Sequence, residues 1–505
     1  MDTVATIRRA LDPDTQSTFD RRVAEQADEL RDDLAAGTFD SAGFAVGIEL
    51  ELYVVDETGA LTPIVEEVFA TDDYTREIGL HNVELNASPQ PFDPAGVDTQ
   101  ATELRAAVEG LRETLSADGQ QLVADGMWTI PPAEGSPSYL GSVDRHSDVR
   151  TATNMPTKPR YCAIDNALCR AADGDIEIEV PGARHQFETI LVESLTSSIQ
   201  PHLQIPDTER FPTYFNAAIR TLGPVLALST NSPFLPGDLY NAVDDPYRLV
   251  AKTPHELRIP IFEETVNVAD HSKACCPTDI ETTTDIVDRV VDDWTCGPFL
   301  SEWPETPTDE IPAVVGDYWE FTHKYGTYWR WVRPIIGGDA VGDGGSLRIE
   351  YRPLPTQPTV DDVLSLHWLT TGLIRGIVAA DHPLVEMDWI DAKQGFYNAV
   401  DEGLDAELSW ITADGEPTSD PEEIYPDLFD LARRGLREAG HTDDEAAALL
   451  APMVDRWERG QTPSRWKKAR VREGLDDGAS LAEAITAMQT AYNRHSRRGE
   501  PFARW

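Results

Sequence analysis

Four short segments of the chain alternate apolar and polar residues with a period of two. In VGIELELYV, four branched apolar residues, beginning at Val46, lie on one side of an extended chain, and Glu49 and Glu51 lie on the other. The same alternation runs through residues 81–88, 197–206 and 346–355. Because successive side chains of a strand point to opposite faces, this pattern is typical of β-strands. One such segment indicates only a half-exposed antiparallel strand, whereas four together predict a sheet with one polar face.

The rest of the pattern predicts an α+β chain in which helices flank this sheet. Helical periodicity predicts helices at residues 4–36, near 97–118, 185–196, 208–222 and 279–294, at 359–382, and through most of 385–505. Short β-like stretches and connections rich in proline and glycine separate them. We therefore expect an N-terminal helical segment (1–40), a central domain (41–384) and a C-terminal helical region (385–505).

The polar sides of the four predicted strands carry an informative set of side chains. The paired carboxylates Glu49 and Glu51 are joined by Glu84, by the histidine His202, and by the sequence R-I-E-Y-R at 348–352. Carboxylates with a histidine suit Mg²⁺ or Mn²⁺, and arginine suits a phosphate held through two hydrogen bonds. We therefore expect a concave sheet that gathers divalent metal ions and a polyphosphate. For His202, the alternative is a histidine satisfied by hydrogen bonds under a loop.

Charge limits the partners of such a site. The chain has 505 residues, with 89 acidic and 42 basic side chains and a formal net charge of −47. This charge would repel nucleic acid and anionic membranes, so we expect neither as a partner. The acidic residues are spread along the whole chain, which is typical of a halophilic protein whose self-repulsion is screened by salt.

Cysteine usage and hydropathy predict the compartment. The five cysteines include no C-x-x-C pair and their number is odd, which favours a reduced protein without structural zinc. The N-terminus has no apolar signal region, and no window approaches about 18 uninterrupted apolar residues. We therefore expect a cytoplasmic protein that does not span a membrane. Assembly into a homo-oligomer is left open.

Other common phosphate-binding and catalytic motifs are absent from the sequence. No G-x-x-x-x-G-K-[ST] loop occurs, and the glycine-rich segment 337–346 lacks lysine and precedes a strand instead of a helix. We interpret this segment as a flexible connection beside the site. No H-E-x-x-H or G-x-S-x-G motif occurs either. The polar face of the sheet is therefore the candidate phosphate site.

Taken in order, these motifs resemble the glutamate–cysteine ligase type 2 family. The resemblance rests on G-I-E-L-E-L at 47–52, on Glu77 with Glu84, on the His202 strand and on R-I-E-Y-R. The segments A-L-S-T-N-S-P-F at 227–234 and G-T-Y-W-R-W-V-R-P at 326–334 add to it, and the C-terminal helices resemble larger, haloarchaeal-type members. Members of the family are carboxylate–amine ligases with the glutamine synthetase fold. The resemblance thus implies a curved antiparallel sheet with a polar concave face.

The resemblance also implies roles for individual residues. Its metal ligands would be Glu49, Glu51, Glu77, Glu84, His202 and Glu350. His81 and Asp73 are alternatives to Glu77. Arg352, with Arg348 behind it, would meet the γ-phosphate of ATP, which makes Arg352, Glu350 and Arg348 the implied catalytic residues. The implied contacts to ATP or substrate are Arg330, Arg333, Gln200, Gln204 and Asn231.

The activity implied by the resemblance is ATP-dependent amide formation through an acyl phosphate, assisted by Mg²⁺ or Mn²⁺. The leading interpretation is ligation of glutamate to cysteine, which gives γ-glutamylcysteine. The family often has a second histidine or an asparagine beside His202, whereas this chain has Gln200 and Gln204, so a different acceptor amine is the first alternative. A non-catalytic homologue that binds nucleotide is the second. In each case the partners are small molecules.

Overall fold

The structure of the protein is a computed structural model that describes residues 3–71, 73–303, 318–338, 341 and 345–505. Residues 339–340 and 342–344 of the predicted glycine-rich connection lie outside this part. The strands are β1 (Ala45–Val55), β2 (Tyr74–Arg76), β3 (Asn82–Pro91), β4 (Gln121–Val123), β5 (Val143–His146), β6 (Val149–Ala152), β7 (Ile176–Val180), β8 (Ala183–Phe187), β9 (Ser198–Gln204), β10 (Val332–Ile336), β11 (Leu347–Tyr351), β12 (Leu354–Pro355), β13 (Trp410–Ile411) and β14 (Pro417–Thr418).

The four segments with alternating residues all form strands, as predicted, and they share one antiparallel sheet. Its order is β10-β11-β9-β1-β3-β2, with β12 added to β9 and β4 added to β1. The pairing of β1 with β3 is irregular between Val46 and Ile48, where a bulge interrupts the ladder. The remaining strands make three separate hairpins, β5-β6, β7-β8 and β13-β14.

Helices cover the apolar face of the sheet and continue to the C-terminus. They are α1 (Thr3–Ala10), α2 (Pro13–Ala35), α3 (Pro94–Ser116), α4 (Ser136–Gly141), α5 (Pro159–Ala171), α6 (Phe211–Ser229), α7 (Pro246–Lys252), α8 (Arg258–Val266), α9 (Thr284–Asp292), α10 (Trp319–Tyr325), α11 (Val360–Ala379), α12 (Trp389–Glu402), α13 (Pro421–Glu438), α14 (Asp443–Arg459), α15 (Pro463–Asp476) and α16 (Leu481–Ser496). Among the described helices, none is both long enough and apolar enough to cross a bilayer.

The core lies between the sheet and helices α3, α6 and α11. Helix α3 packs on β3, α11 packs on β9, and α6 contacts β10, β11 and β12. The apolar side chains of the alternating strands, such as Ile48, Ile199 and Ile349, are at most 2% exposed and point into this layer. Burial of that face leaves the opposite, polar face free to form a site.

Local sequence signals explain where several of these helices begin. The Asp93 side chain accepts a hydrogen bond from Gly96 N at the start of α3, and the Thr359 side chain caps α11. Reciprocal capping boxes begin α14 and α16, with Ser480 and Glu483 forming the second. The helices α15 and α16 enclose a smaller apolar cluster with Phe234.

The helix predicted near 185–196 is wrong. Residues there form strand β8, which pairs with β7 in a hairpin, and then a short 3₁₀ helix, Ile190–Leu195. The hairpin turns at Gly182, whose φ of +80° favours glycine, and the Thr189 side chain caps the 3₁₀ helix. A turn two residues before the predicted helix thus overrides its apolar periodicity.

Candidate active site

Cross-strand pairing brings the predicted ligands of different strands together on the polar face. Glu51 of β1 lies opposite Glu84 of β3, and Glu350 of β11 lies opposite both His202 of β9 and Arg333 of β10. The face comprises Glu49, Glu51, Glu84, Gln200, His202, Arg333, Arg348, Glu350 and Arg352. Residues far apart in the chain therefore share one surface because the strand register aligns them.

One end of this face, which we call the paired end, is centred on Glu350. Arg333 binds the fully buried Glu350 carboxylate through both Nε and Nη2, and Arg352 Nη1 lies 2.7 Å from its Oε1. Burial alone would raise the pKa of Glu350, but Arg333 and Arg352 outweigh it and hold that pKa well below its usual range. Glu350 is therefore ionised, and its position is fixed by two guanidinium groups.

His202 and Glu49 complete the paired end as a candidate metal centre. The ligand atoms of Glu49, His202 and Glu350 lie within 4.8 Å of one another, and His202 Nε2 is 3.3 Å from Glu49 Oε1. Arg348 Nε donates to His202 Nδ1 at 3.0 Å, so a neutral ring carries its proton on Nε2, towards Glu49. Nε2 can bind a metal ion only if the ring proton moves to Nδ1. Arg348 would then have to give up its hydrogen bond to Nδ1.

The opposite end of the face, the acidic end, holds four carboxyl groups: Glu51, Glu77, Glu84 and Glu193. Burial raises the pKa of Glu84 to about 8, with Glu49 and Glu51 adding to the shift. Burial, Glu84 and Glu51 raise the pKa of Glu77 well above its usual range. The carboxyl groups of Glu77 and Glu84 share a hydrogen bond. These carboxyl groups crowd together without enough positive charge from the chain, which is the arrangement expected where cations bind.

Gln200 joins the two ends. Its Nε2 donates to Glu51 Oε1 at 3.0 Å, while its Oε1 accepts from Arg352 Nη1 at 2.5 Å. Glu51 also accepts hydrogen bonds from the Ser198 backbone and side chain, at 2.7 and 2.9 Å. An amide between a carboxylate and a guanidinium satisfies both, so Gln200 fixes the spacing of the two ends.

Two charged residues of the site were not expected from the sequence. Glu193 lies on the short 3₁₀ helix before β9, where burial and Glu51 raise its pKa to about 8. Arg258 begins α8, and its charge lowers the pKa of the buried Glu51, which burial raises. Neither residue belongs to an alternating strand, so no periodicity marks it. Only the packing of these two segments against the sheet places them here.

Two predicted contact residues lie away from the polar face, and a third, Gln204, lies at its edge. Arg330 bonds the Lys273 carbonyl and Asp293 beside a cavity of about 440 Å³ that includes no residue of the polar face. Gln204 donates to Ser41 Oγ and the Gly43 carbonyl, each at 3.1 Å, before β1. The fully buried Asn231 side chain donates to the Thr356 carbonyl and to Tyr492. Arg330 and Asn231 thus lie away from the polar face, whereas Gln204 lies on it, opposite Arg348, with its amide already hydrogen-bonded within the protein.

The residues that are present fit a site for ATP and divalent cations. Within the described part of the chain, buried polar atoms without a hydrogen-bond partner include His202 Nε2, Arg333 Nη1, Arg258 Nε and Tyr325 Oη. The Arg333 guanidinium carbon lies 6.0 Å from the Tyr325 ring centroid, so two of these unpaired donors, on Arg333 and Tyr325, lie together at the paired end. Buried polar groups are normally satisfied, and the acidic end supplies oxygen ligands beside them.

Comparison with known proteins identifies the family. Residues 45–489 match the family model described as glutamate–cysteine ligase family 2. A putative glutamate–cysteine ligase 2-3 of Rubrobacter xylanophilus is 28% identical over 204 residues, which cover 39% of this chain and 46% of that protein. The aligned region thus spans about half the length of that curated relative.

A solved structure shows the same fold. The glutamate–cysteine ligase of Francisella tularensis in complex with AMP has a TM-score of 0.50 at 12% identity, covering 91% of this chain and 90% of its own. A bifunctional glutathione synthetase from Pasteurella multocida has a TM-score of 0.46 at 12% identity, covering 93% of this chain and 55% of its own. The predicted α+β fold with a large antiparallel sheet is confirmed. The chain belongs to glutamate–cysteine ligase family 2.

Proposed function

We propose that this protein is an ATP-dependent carboxylate–amine ligase that joins the γ-carboxylate of glutamate to the amine of cysteine. The observation that carries the proposal is the division of one sheet face into an acidic end and a paired end. Family membership supports the same chemistry. A site that binds a tetraanionic nucleotide and a carboxylate needs both cation ligands and guanidinium groups.

The paired end suits the transferring phosphoryl group. Arg352 is fixed by Glu350 and Gln200, and within the described chain Arg333 Nη1 has no hydrogen-bond partner. Guanidinium groups that are already oriented stabilise negative charge without reorganising during the reaction. We therefore assign Arg352 and Arg333 to the phosphate that passes from ATP to the substrate carboxylate, whereas Arg348 would have to release His202 Nδ1 for His202 to bind a metal ion.

The acidic end suits divalent cations. Mg²⁺ or Mn²⁺ would be held by residues of the acidic end and by their neighbours on the polar face. These residues are Glu51, Glu77, Glu84, Glu49, His202 and Glu350. Bound ions would neutralise phosphate charge that otherwise repels the attacking carboxylate. Without such ions the Glu84 carboxyl group, whose pKa burial raises to about 8, is mostly protonated at neutral pH and cannot act as a metal ligand.

The proposal leads to a direct assay. ATP consumption is followed as phosphate release in high salt with Mg²⁺, with glutamate alone, then glutamate and cysteine, then glutamate and a panel of other amines. High salt is chosen because we expect a chain with a net charge of −47 to need screening. Mass spectrometry identifies the amide product.

The outcomes separate the alternatives. Release that requires cysteine, with a γ-glutamyl product, supports the proposal. Release with another amine only keeps the ligase chemistry and replaces the acceptor. Absence of release with every pair, in a protein that still binds ATP, argues for a non-catalytic nucleotide-binding homologue.

A further inference from the structure

Arg258 reaches the polar face from behind the acidic end. Its side chain is 5% exposed, its Nη2 donates to the Arg352 carbonyl at 3.0 Å, and its guanidinium lies 5.4 Å from the Trp331 ring centroid. Its Nε has no hydrogen-bond partner within the described residues. The hydrogen bond to the Arg352 carbonyl and the contact with the Trp331 ring do not by themselves fix the long Arg258 side chain beside Glu51.

A buried carboxylate, that of Glu256, lies directly behind Arg258. Glu256 is fully buried, and its Oε1 lies 3.7 Å from Arg258 Nε. The same carboxylate accepts hydrogen bonds from Ser232 Oγ at 2.5 Å and from Asn231 N at 2.8 Å. Ser232 Oγ in turn accepts from Arg258 N at 3.1 Å. Glu256 is thus held in place by hydrogen bonds to both of its carboxylate oxygens.

The C-terminal helices brace this arrangement. Lys467 of α15 donates to the Asn231 carbonyl at 2.7 Å and to the buried Asp125 at 2.5 Å. The hydroxyl of Tyr492 on α16 accepts from Asn231 Nδ2 at 2.9 Å. Asn231 therefore connects these helices to the Glu256 carboxylate behind Arg258. This structural role explains why Asn231 lies away from the polar face.

We infer that Glu256 is a positioning residue that holds Arg258 beside the acidic end, within a frame supplied by α15 and α16. The inference rests on the proposed function, because a fixed Arg258 is an advantage only where an anionic ligand binds. A guanidinium held at its Nε side presents its outer nitrogens to an anionic ligand with little loss of entropy on binding. Glu256 itself does not reach the polar face and is not a catalytic residue.

The Glu256→Gln variant tests this role with little disturbance of shape. The amide oxygen can accept from Asn231 N, and the Ser232 hydroxyl can rotate to accept from the amide nitrogen, so mainly the charge is lost. Turnover is measured in the full chain for Glu256→Gln, Arg258→Lys and the double variant. Glu320→Gln is the matched control, because Glu320 is equally buried but bonds Arg22 and Gln26, away from the polar face.

We expect Glu256→Gln to lower kcat about tenfold in the wild-type background, as is common for the loss of a supporting partner. In the Arg258→Lys background it should lower kcat less than about twofold, because both changes act through one side chain. The control should lose stability without losing turnover. Equal losses in both backgrounds would overturn the inference, since a general structural effect gives additive losses.

A crystal structure of Glu256→Gln provides a readout that does not depend on turnover. We expect the Arg258 guanidinium to leave the Arg352 carbonyl. If Arg258 stays within hydrogen-bond distance of that carbonyl, Glu256 does not position it and the inference fails. If the wild-type chain releases no phosphate with any amine, the proposed function fails, and the displacement of Arg258 alone decides the role of Glu256.

Discussion

The two ends of the polar face place the same residue type, glutamate, in opposite electrostatic environments. At the paired end, Arg333 and Arg352 overcome the burial of Glu350 and depress its pKa. At the acidic end, burial and neighbouring carboxylates raise the pKa of Glu84 to about 8. Both ends belong to one sheet and are joined by Gln200. The difference in pKa therefore arises from the charged partners that the strand register supplies at each end, and not from the depth of burial alone.

This difference indicates what each end lacks. The paired end has guanidinium groups, of which Arg333 keeps Nη1 without a hydrogen-bond partner among the described residues, and can accept an anion. The acidic end has carboxyl groups with insufficient counter-charge and can accept cations. A nucleotide phosphate chain with bound divalent ions complements both ends at once, which is why we regard the contrast as functional. Buried charges with a purely structural role are normally paired, whereas the acidic end gathers four carboxyl groups in one place.

The largest effect is expected for Glu350→Gln. Loss of this charge leaves Arg333 and Arg352 facing each other without their shared anion, which costs about 3–5 kcal/mol of unfolding free energy. Turnover should fall by about 10³-fold, because both arginines lose their orientation. Phosphate release and denaturant unfolding measure the two effects. Full turnover in this variant would show that the paired end is not the reaction site.

Arg333 and Arg330 offer a comparison inside the segment 326–334. Arg333→Met removes a bidentate partner of Glu350, and we expect turnover to fall about 10²-fold. In Arg330→Met, Asp293 keeps its bond to Lys273, so turnover should change less than about threefold even if stability falls. Phosphate release is measured for both variants at saturating substrates. Equal losses of turnover would place Arg330 in the site and contradict its assignment away from the polar face.

The acidic end predicts a pH dependence of the metal-free protein. Glu84 and Glu193 have pKa values of about 8 in the folded chain, against about 4.3 for an unfolded glutamate. Their contribution to stability is fully present below the unfolded value and is lost as pH rises through about 8. The slope approaches about 1.4 kcal/mol per pH unit for each proton held by the folded state.

Denaturant unfolding with a chelator at about pH 5 and about pH 8 measures this slope. Mg²⁺ should restore stability at the higher pH, because it binds the folded chain alone. Glu84→Gln should reduce the slope and weaken the effect of Mg²⁺. An unchanged slope in Glu84→Gln would mean that the acidic end does not control the pH dependence.

How far the sequence predicts this site depends on where a residue lies. Alternation assigns Glu49, Glu84 and His202 correctly to polar strand faces because a strand has a strict period of two. The pairing that places Glu350 opposite His202 requires the register, which no single strand encodes. Prediction therefore succeeds for the face of a strand and stops short of the neighbours across it.

Residues outside the strands show the limit more plainly. Glu193 and Arg258 enter the site from short helical segments whose packing on the sheet depends on the whole fold. Asn231 carries a side chain suitable for ligand contacts, yet hydrogen bonds within the protein use it. Residue type and motif position therefore suggest chemistry, and only tertiary contacts decide whether the side chain is available.

The smallest effect is expected where the two ends meet. Gln200→Met removes the bridge, but Glu51 keeps both bonds from Ser198 and Arg352 keeps Glu350. We expect a loss of about 1 kcal/mol in unfolding free energy and about a threefold loss of turnover.

The matched control is Gln204→Met, on the same strand. Gln204 bonds only Ser41, the Gly43 carbonyl and Val341 N within the described residues. It should lose similar stability and no turnover when phosphate release and unfolding are measured side by side. If Gln200→Met also leaves turnover unchanged, the two ends act without a fixed spacing, because the bridge is then only a structural contact. If turnover instead falls as far as in Arg333→Met, the bridge belongs to the paired end, and the division of the face must be redrawn with Gln200 inside it.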